Sequence, residues 1–223
     1  MSSEPVLVRA GASPATACLG AVIVHGRDAS AEHILGLAER IGRDDVAYIA
    51  PDAPGHCWYP RTFTAPLADN EPGVSNGIAA IRRSIATLAE DGIPHGRILL
   101  IGFSQGACLS LETMARFPLA LGGVAALSGG LIGTGERPGR PPPADKLFDY
   151  RGRLDGVPVL FGCNEADRHI PLPRVLESER VFAAMGAETA LQIFPEPGHR
   201  IYASEIDWIA ALMHRLASSS PVG

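Results

Sequence analysis

The sequence predicts an α/β fold, a mostly parallel sheet with helices on both faces. Three observations predict it. Short apolar runs such as Gly20-Ala21-Val22-Ile23-Val24 and Gly123-Val124-Ala125-Ala126-Leu127 recur along the chain and read as buried strands. Segments with apolar residues at helical spacing alternate with them, as at Ile34, Leu35, Leu37, Ala38 and Ile41. One strand, Ile98-Leu99-Leu100-Ile101, runs directly into Gly102-Phe103-Ser104-Gln105-Gly106-Ala107-Cys108, a Gly-x-Ser-x-Gly turn that opens a helix with small residues. Strands alternating with helices pack as a parallel sheet covered on both sides. In such sheets ligands bind beyond the carboxyl ends of the strands.

In chain order, residues 5–10 form a first edge strand and residues 20–24 a buried strand that exits sharply at His25-Gly26. A helix over residues 30–42 follows, with Ser30 as its cap. Val46 to Ala50 is the next strand, stopped by Pro51 and Pro54. Residues 52–71 are irregular and rich in proline and aromatic residues. Ile78, Ile81, Ile85 and Leu88 mark one face of a helix from about residue 74 to 90. The helix after Ser104 ends near Phe117, before Pro118. Residues 129–156, with Arg140-Pro141-Pro142-Pro143, read as a surface excursion. Val157 to Phe161 is a strand, residues 172–185 a helix, Thr189 to Phe194 the last strand and residues 201–216 the closing helix. Residues 218–223 read as a frayed tail. There are no internal repeats.

At 223 residues the chain suits one domain, residues 1–223, with an ample core and no need of metal or disulfide staples. Its net charge of −5 is spread without a basic stripe, which argues against nucleic acid or an anionic membrane as partner. Cys18, Cys57, Cys108 and Cys163 match no zinc or redox spacing. The start of the chain has no charged, apolar leader, and no run reaches the roughly 18 apolar residues of a membrane span. The expectation is a cytoplasmic protein in a reducing compartment.

The order strand, Gly-x-Ser-x-Gly, helix is the nucleophile elbow of the α/β-hydrolase fold. Side chains at 102 and 106 would collide as the helix folds back on the strand. Ser104 is therefore the expected nucleophile. A serine hydroxyl needs an adjacent base, and the base an orienting acid, here in the order Ser, acid, His. His199, on the turn after the last strand, is the expected base; His214 falls inside the closing helix. His169 follows Asp167 too closely to fill both ends of the relay. Glu165 and Asp167 both lie in the loop after residues 157–161; Asp167, directly before Arg168-His169-Ile170-Pro171, is the preferred acid. The oxyanion hole needs two N–H donors. Gln105, after the nucleophile, supplies one, and Arg27, after His25-Gly26, the other. His25 is expected to orient that loop.

Beyond the elbow, the chain resembles the phospholipase/carboxylesterase family of small α/β-hydrolases, which includes bacterial carboxylesterases and is related to acyl-protein thioesterases. The likeness runs from about residue 18 to 216. It rests on His25-Gly26, Ala53-Pro54, Trp58-Tyr59-Pro60, Gly102-Phe103-Ser104-Gln105-Gly106-Ala107, Asp167 with Ile170-Pro171, and Gly198-His199. The resemblance implies Ser104, Asp167 and His199 as a triad with Arg27 and Gln105 as oxyanion donors. The chain departs from the family at two places. It reads Val-His-Gly-Arg-Asp-Ala where the family often has Leu-His-Gly-Leu-Gly-Asp, and Arg168 stands where proline is common.

These features imply a serine carboxylesterase with no metal or organic cofactor, acting on a small-molecule ester; a homodimer is left open. Trp58, Tyr59 and Phe63 either line an acyl or alcohol pocket or simply pin a long loop. With no large lid, and with Arg27 and Asp28 at the mouth, short acyl chains are expected. The alternatives are an acyl thioesterase or lysophospholipase on the same machinery, and a non-catalytic binding protein. A dienelactone hydrolase would carry cysteine in place of Ser104.

Overall fold

The computed structural model describes residues 6–135 and 146–219. Its strands are β1 (Leu7–Gly11), β2 (Leu19–Val24), β3 (Val46–Pro51), β4 (Ile98–Phe103), β5 (Gly123–Leu127), β6 (Pro158–Asn164) and β7 (Glu188–Phe194). They form a seven-stranded sheet in the order β1-β3-β2-β4-β5-β6-β7. β1 runs antiparallel to β3, and every other neighbouring pair is parallel.

The strand order decides where a ligand can bind. From β2 the chain moves outward to β3 and then returns to the other side of β2 as β4. The loops after β2 and β4 therefore diverge, and the crevice between them is the topological switch point of the sheet.

The central strands are buried on both faces, and their side chains alternate between two cores. Leu19, Ala21 and Ile23 of β2 point into one core with α1 (Ala31–Ile41) and α5 (Ala203–Ser218). Val22 and Val24 point into the other, with α2 (Gly73–Glu90), α3 (Gln105–Arg116) and α4 (Leu172–Ala184). Ser30 caps α1, its hydroxyl accepting from the His33 N–H at 3.2 Å. Among the described residues no helical lid is inserted over the strand ends, and no helix is long and apolar enough to cross a membrane.

Three expectations need correction. β6 continues past Phe161 to Asn164, with Gly162, Cys163 and Asn164 paired to Gln192, Ile193 and Phe194. Gly-Cys-Asn has the composition of a turn, but Gly162 is required by a neighbour. A Cβ there would lie 1.8 Å from a carboxylate oxygen of Glu205, which is buried against the strand. Residues 129–135 are not a surface excursion. Leu131 and Ile132 are fully buried, and Arg174 binds the carbonyls of Leu131, Gly133 and Thr134 at 2.9, 2.7 and 2.6 Å. Hydrogen bonding of that backbone to a buried arginine makes burial tolerable. Residues 136–145, including Arg140-Pro141-Pro142-Pro143, lie outside the described residues. Finally, Ser218 ends α5 rather than fraying, and the Ser219 carbonyl accepts from Arg97 at 2.8 Å; residues 220–223 lie outside the described part.

Candidate active site

The elbow is strained in the way a raised hydroxyl requires. Ser104 has φ 55° and ψ −119°, a left-handed backbone that costs a non-glycine residue about 1–3 kcal/mol. The close packing around it explains both flanking glycines. A Cβ at Gly102 would meet the Gly106 carbonyl at 2.5 Å, and one at Gly106 the Val24 carbonyl at 2.2 Å. The turn thus presses α3 against both β4 and β2, and it leaves the first N–H groups of α3 free of intrahelical acceptors.

Two chain-distant side chains, His199 and Asp167, converge on this turn. His199, from the loop after β7, places Nε2 2.8 Å from the Ser104 hydroxyl. Its Nδ1 lies 2.8 Å from Asp167 Oδ2, on the loop after β6. Asp167 Oδ1 accepts the N–H groups of His169 and Ile170 at 2.8 and 3.1 Å. The carboxylate side chain has no solvent exposure, whereas the imidazole keeps 22%. Because a carboxylate only accepts, Nδ1 carries the proton and Nε2 faces the hydroxyl as an acceptor. Glu165 is exposed and takes no part in this chain of contacts; its backbone N–H pairs with the Phe194 carbonyl at 2.8 Å. His214 is exposed on α5.

The loop after β2 faces the hydroxyl from the other side. His25 is fully buried. Its Nδ1–H donates to the Gly26 carbonyl at 2.7 Å, and its Nε2 accepts from the Ala53 N–H at 3.0 Å. Desolvation by burial holds the imidazole below its usual pKa, so it is a neutral brace. It orients the loop as the sequence suggested. Gly26 lies against Ser104, where an added Cβ would come within 3.2 Å of the serine Cβ. The Arg27 N–H has no hydrogen-bond acceptor among the described residues.

A pocket of about 400 Å³ opens at the serine. Tyr59, Phe63, Cys108 and Ile170 give it apolar wall; Arg27, Asp28 and Arg61 bring charge to its sides. Trp58 is not part of it. The indole is buried, stacks near His25 with centroids 5.0 Å apart and donates from Nε1 to the His25 carbonyl at 2.9 Å. Within the aromatic segment, Tyr59 and Phe63 line this pocket, whereas Trp58 pins the loop.

Sequence reasoning missed several pocket residues, among them Cys108, His169 and Ile170. Cys108 lies one helical turn after Ser104, so the i, i+4 spacing on α3 was a usable signal. Burial pushes its thiol up to about 12, which makes it an inert part of the wall. Ile170 and His169 were legible only as loop residues; the ring of His169 lies 4.9 Å from that of His199.

The family model described as phospholipase/carboxylesterase matches residues 6–215. The chain belongs to this family. Its members are serine hydrolases of the α/β-hydrolase fold, and the fold seen here agrees. Among solved structures, the phospholipase/carboxylesterase of Dyadobacter fermentans superposes with a TM-score of 0.84 at 31% identity, over 94% of this chain and 96% of that one. Acyl-protein thioesterase 1 of Eremothecium gossypii is 28% identical over 92% of this chain and 90% of its own length. The carboxylesterase of Bacillus cereus, at 14% identity and a TM-score of 0.70, shares the fold.

Proposed function

We propose that this protein is a serine carboxylesterase that hydrolyses short-chain carboxylic esters through an acyl-enzyme on Ser104. The observation that carries the reading is the unbroken contact chain from the Ser104 hydroxyl through His199 to buried Asp167, with 2.8 Å at each link. His199 Nε2 takes the hydroxyl proton as Oγ bonds to the ester carbonyl carbon. The carbonyl oxygen becomes negative and is met by the N–H groups of Gln105 and Arg27, reinforced by the start of α3. As the intermediate collapses, the imidazolium returns its proton to the leaving alkoxide. Water then attacks the acyl-serine by the same route and frees the carboxylic acid. Asp167 keeps the imidazole in the reactive tautomer and stabilises its charged form. This chemistry uses protein groups throughout and needs no metal or organic cofactor.

The pocket supports a short acyl chain. Tyr59, Phe63, Cys108 and Ile170 form its apolar wall, and charged groups stand at its sides. Each buried methylene contributes about 0.8 kcal/mol, close to fourfold in kcat/KM, until the wall is reached. The four cysteines, all unpaired, fit a reducing, cytoplasmic setting. A second reading, an acyl thioesterase, is favoured by the similarity to acyl-protein thioesterase 1.

A series of p-nitrophenyl esters from acetate to palmitate, run beside matched thioesters, tests both. A rise over the first few carbons followed by a fall supports the esterase reading. A steady rise to palmitate, or faster thioester turnover at every length, replaces it with the second. Absence of covalent labelling by a fluorophosphonate removes both.

A further inference from the structure

One backbone atom connects the two expected oxyanion donors. The Tyr59 carbonyl accepts from Arg27 Nη2 at 2.7 Å and from Gln105 Nε2 at 2.8 Å. Cys57 Sγ also donates to it, at 3.1 Å. The two expected donor residues thus reach, with their side chains, the same oxygen from two segments that are far apart in sequence.

The attachments on each side are specific. The Gln105 carboxamide pairs with consecutive backbone groups, its Oε1 accepting the Trp58 N–H at 2.9 Å while its Nε2 binds the Tyr59 carbonyl. The Arg27 guanidinium spans the Tyr59 and Arg61 carbonyls through Nη2, at 2.7 and 3.0 Å, and meets Cys57 Sγ through Nη1 at 3.0 Å. Two further bonds lock the loop after β2 onto the same segment, from the Trp58 indole to the His25 carbonyl at 2.9 Å and from the Asp28 N–H to the His56 carbonyl at 2.8 Å. The segment is itself fixed. Trp58 and Tyr59 are buried, and Asn70 binds both the Arg61 N–H and the Thr62 carbonyl, at 2.8 and 2.9 Å.

We propose that the Tyr59 carbonyl is the common anchor that sets the separation of the two N–H donors, with the side chains of Arg27 and Gln105 as positioning groups for the oxyanion hole. The proposal rests on the esterase reading and adds to it a positioning role for two side chains. Its physical basis is preorganisation. An oxyanion hole stabilises developing charge because its dipoles are already aimed, and aim requires that the loop after β2 and the first turn of α3 hold a fixed distance. Among the described residues they pack together, Gly26 against Ser104, but no backbone hydrogen bond joins them. A charge-assisted bond from the exposed Arg27 guanidinium and a bond from the buried Gln105 carboxamide, both to one carbonyl, supply the link.

The test uses Arg27→Met and Gln105→Met, each of which keeps its backbone N–H. Steady-state kinetics on p-nitrophenyl butyrate is paired with inhibition by a trifluoromethyl ketone, whose adduct places an oxyanion at the serine. The expected result is a kcat lowered about 10- to 100-fold in each variant, with KM within about twofold and ketone affinity lowered in parallel. Arg27→Lys, which keeps one donor for the carbonyl, recovers part of the loss. The double variant loses less than the product of the single losses, because both act through one anchor. The proposal is overturned if either folded variant keeps kcat and ketone affinity within about twofold of wild type. It is equally overturned if only the melting temperature falls. Should Arg27→Met not fold, Gln105→Met decides. A wild-type protein that hydrolyses no ester and binds no fluorophosphonate is a different outcome, and sinks the esterase reading itself.

Discussion

Asp167 meets His199 through one carboxylate oxygen while its own backbone neighbourhood holds the other. Oδ2 lies 2.8 Å from His199 Nδ1, and Oδ1 accepts the N–H groups of His169 and Ile170. The carboxylate is therefore fixed before the imidazole docks on it. One of its oxygens is directed at a single ring nitrogen.

The first prediction follows from that direction. Asp167→Asn keeps the shape of the site but offers Nδ1 an ambiguous partner, so kcat should fall on the order of 10⁴-fold. Glu165→Gln, altering an exposed side chain outside the contact chain, should change kcat by less than about twofold. Ester-hydrolysis kinetics of the two variants decide the matter; the reverse ranking would give the acid role to Glu165.

Ser104→Ala should leave the far-ultraviolet circular dichroism unchanged and reduce kcat by about 10⁴-fold or more, with fluorophosphonate labelling abolished. His199→Ala should match it, while His214→Ala, remote on α5, should retain wild-type turnover. Near wild-type turnover by Ser104→Ala would remove the serine mechanism.

Glu205 should make stability depend on pH. Burial raises its carboxyl from the usual 4.5 to about 7, against the lowering effect of its bond from the Tyr202 N–H. Between those two pH values the folded state holds a proton that the unfolded chain has released. The folded state binds more protons there, so stability falls as pH rises through the window and levels off above about 7. Glu205→Gln keeps an acceptor for Tyr202 without a titrating group. Its stability relative to wild type should therefore grow from pH 5 to pH 8, by up to roughly 3 kcal/mol. Urea unfolding at both pH values measures this; a difference independent of pH would refute it.

Trp58 and Phe63 should separate cleanly. Phe63→Ala removes pocket wall and should move the preferred acyl chain longer by one or more carbons, with a stability loss of about 3–5 kcal/mol. Trp58→Phe removes the indole bond to the His25 carbonyl and should lower kcat at every chain length without moving the optimum. Chain-length profiles of the two variants provide the comparison. A shifted optimum in Trp58→Phe would place the indole functionally in the pocket.

Local sequence determined the features whose causes are local. Burial on both faces made β2, β4 and β5 readable as apolar runs, and β5 starts and stops where its apolar run does. The elbow was legible because two glycines, a strand and a small-residue helix start satisfy one steric demand at one place. The same pattern located Ser104, and the rule that ligands bind at strand ends narrowed the search for its partners to a few loops. What depends on contacts between distant segments was decided by the tertiary structure. Only the folded loop after β6 distinguishes Asp167 from Glu165, because the choice depends on which carboxylate faces His199. Residues 129–135 are rich in glycine and read as surface, yet a buried arginine forty or more positions away satisfies three of their carbonyls. Gly162, Cys163 and Asn164 extend β6 by pairing with β7, and glycine stands at 162 because Glu205 leaves no space for a side chain there. The convergence of Arg27 and Gln105 on the Tyr59 carbonyl has no signature in sequence at all. A backbone oxygen is the same in every residue, and its partners are chosen by the packing of the whole sheet.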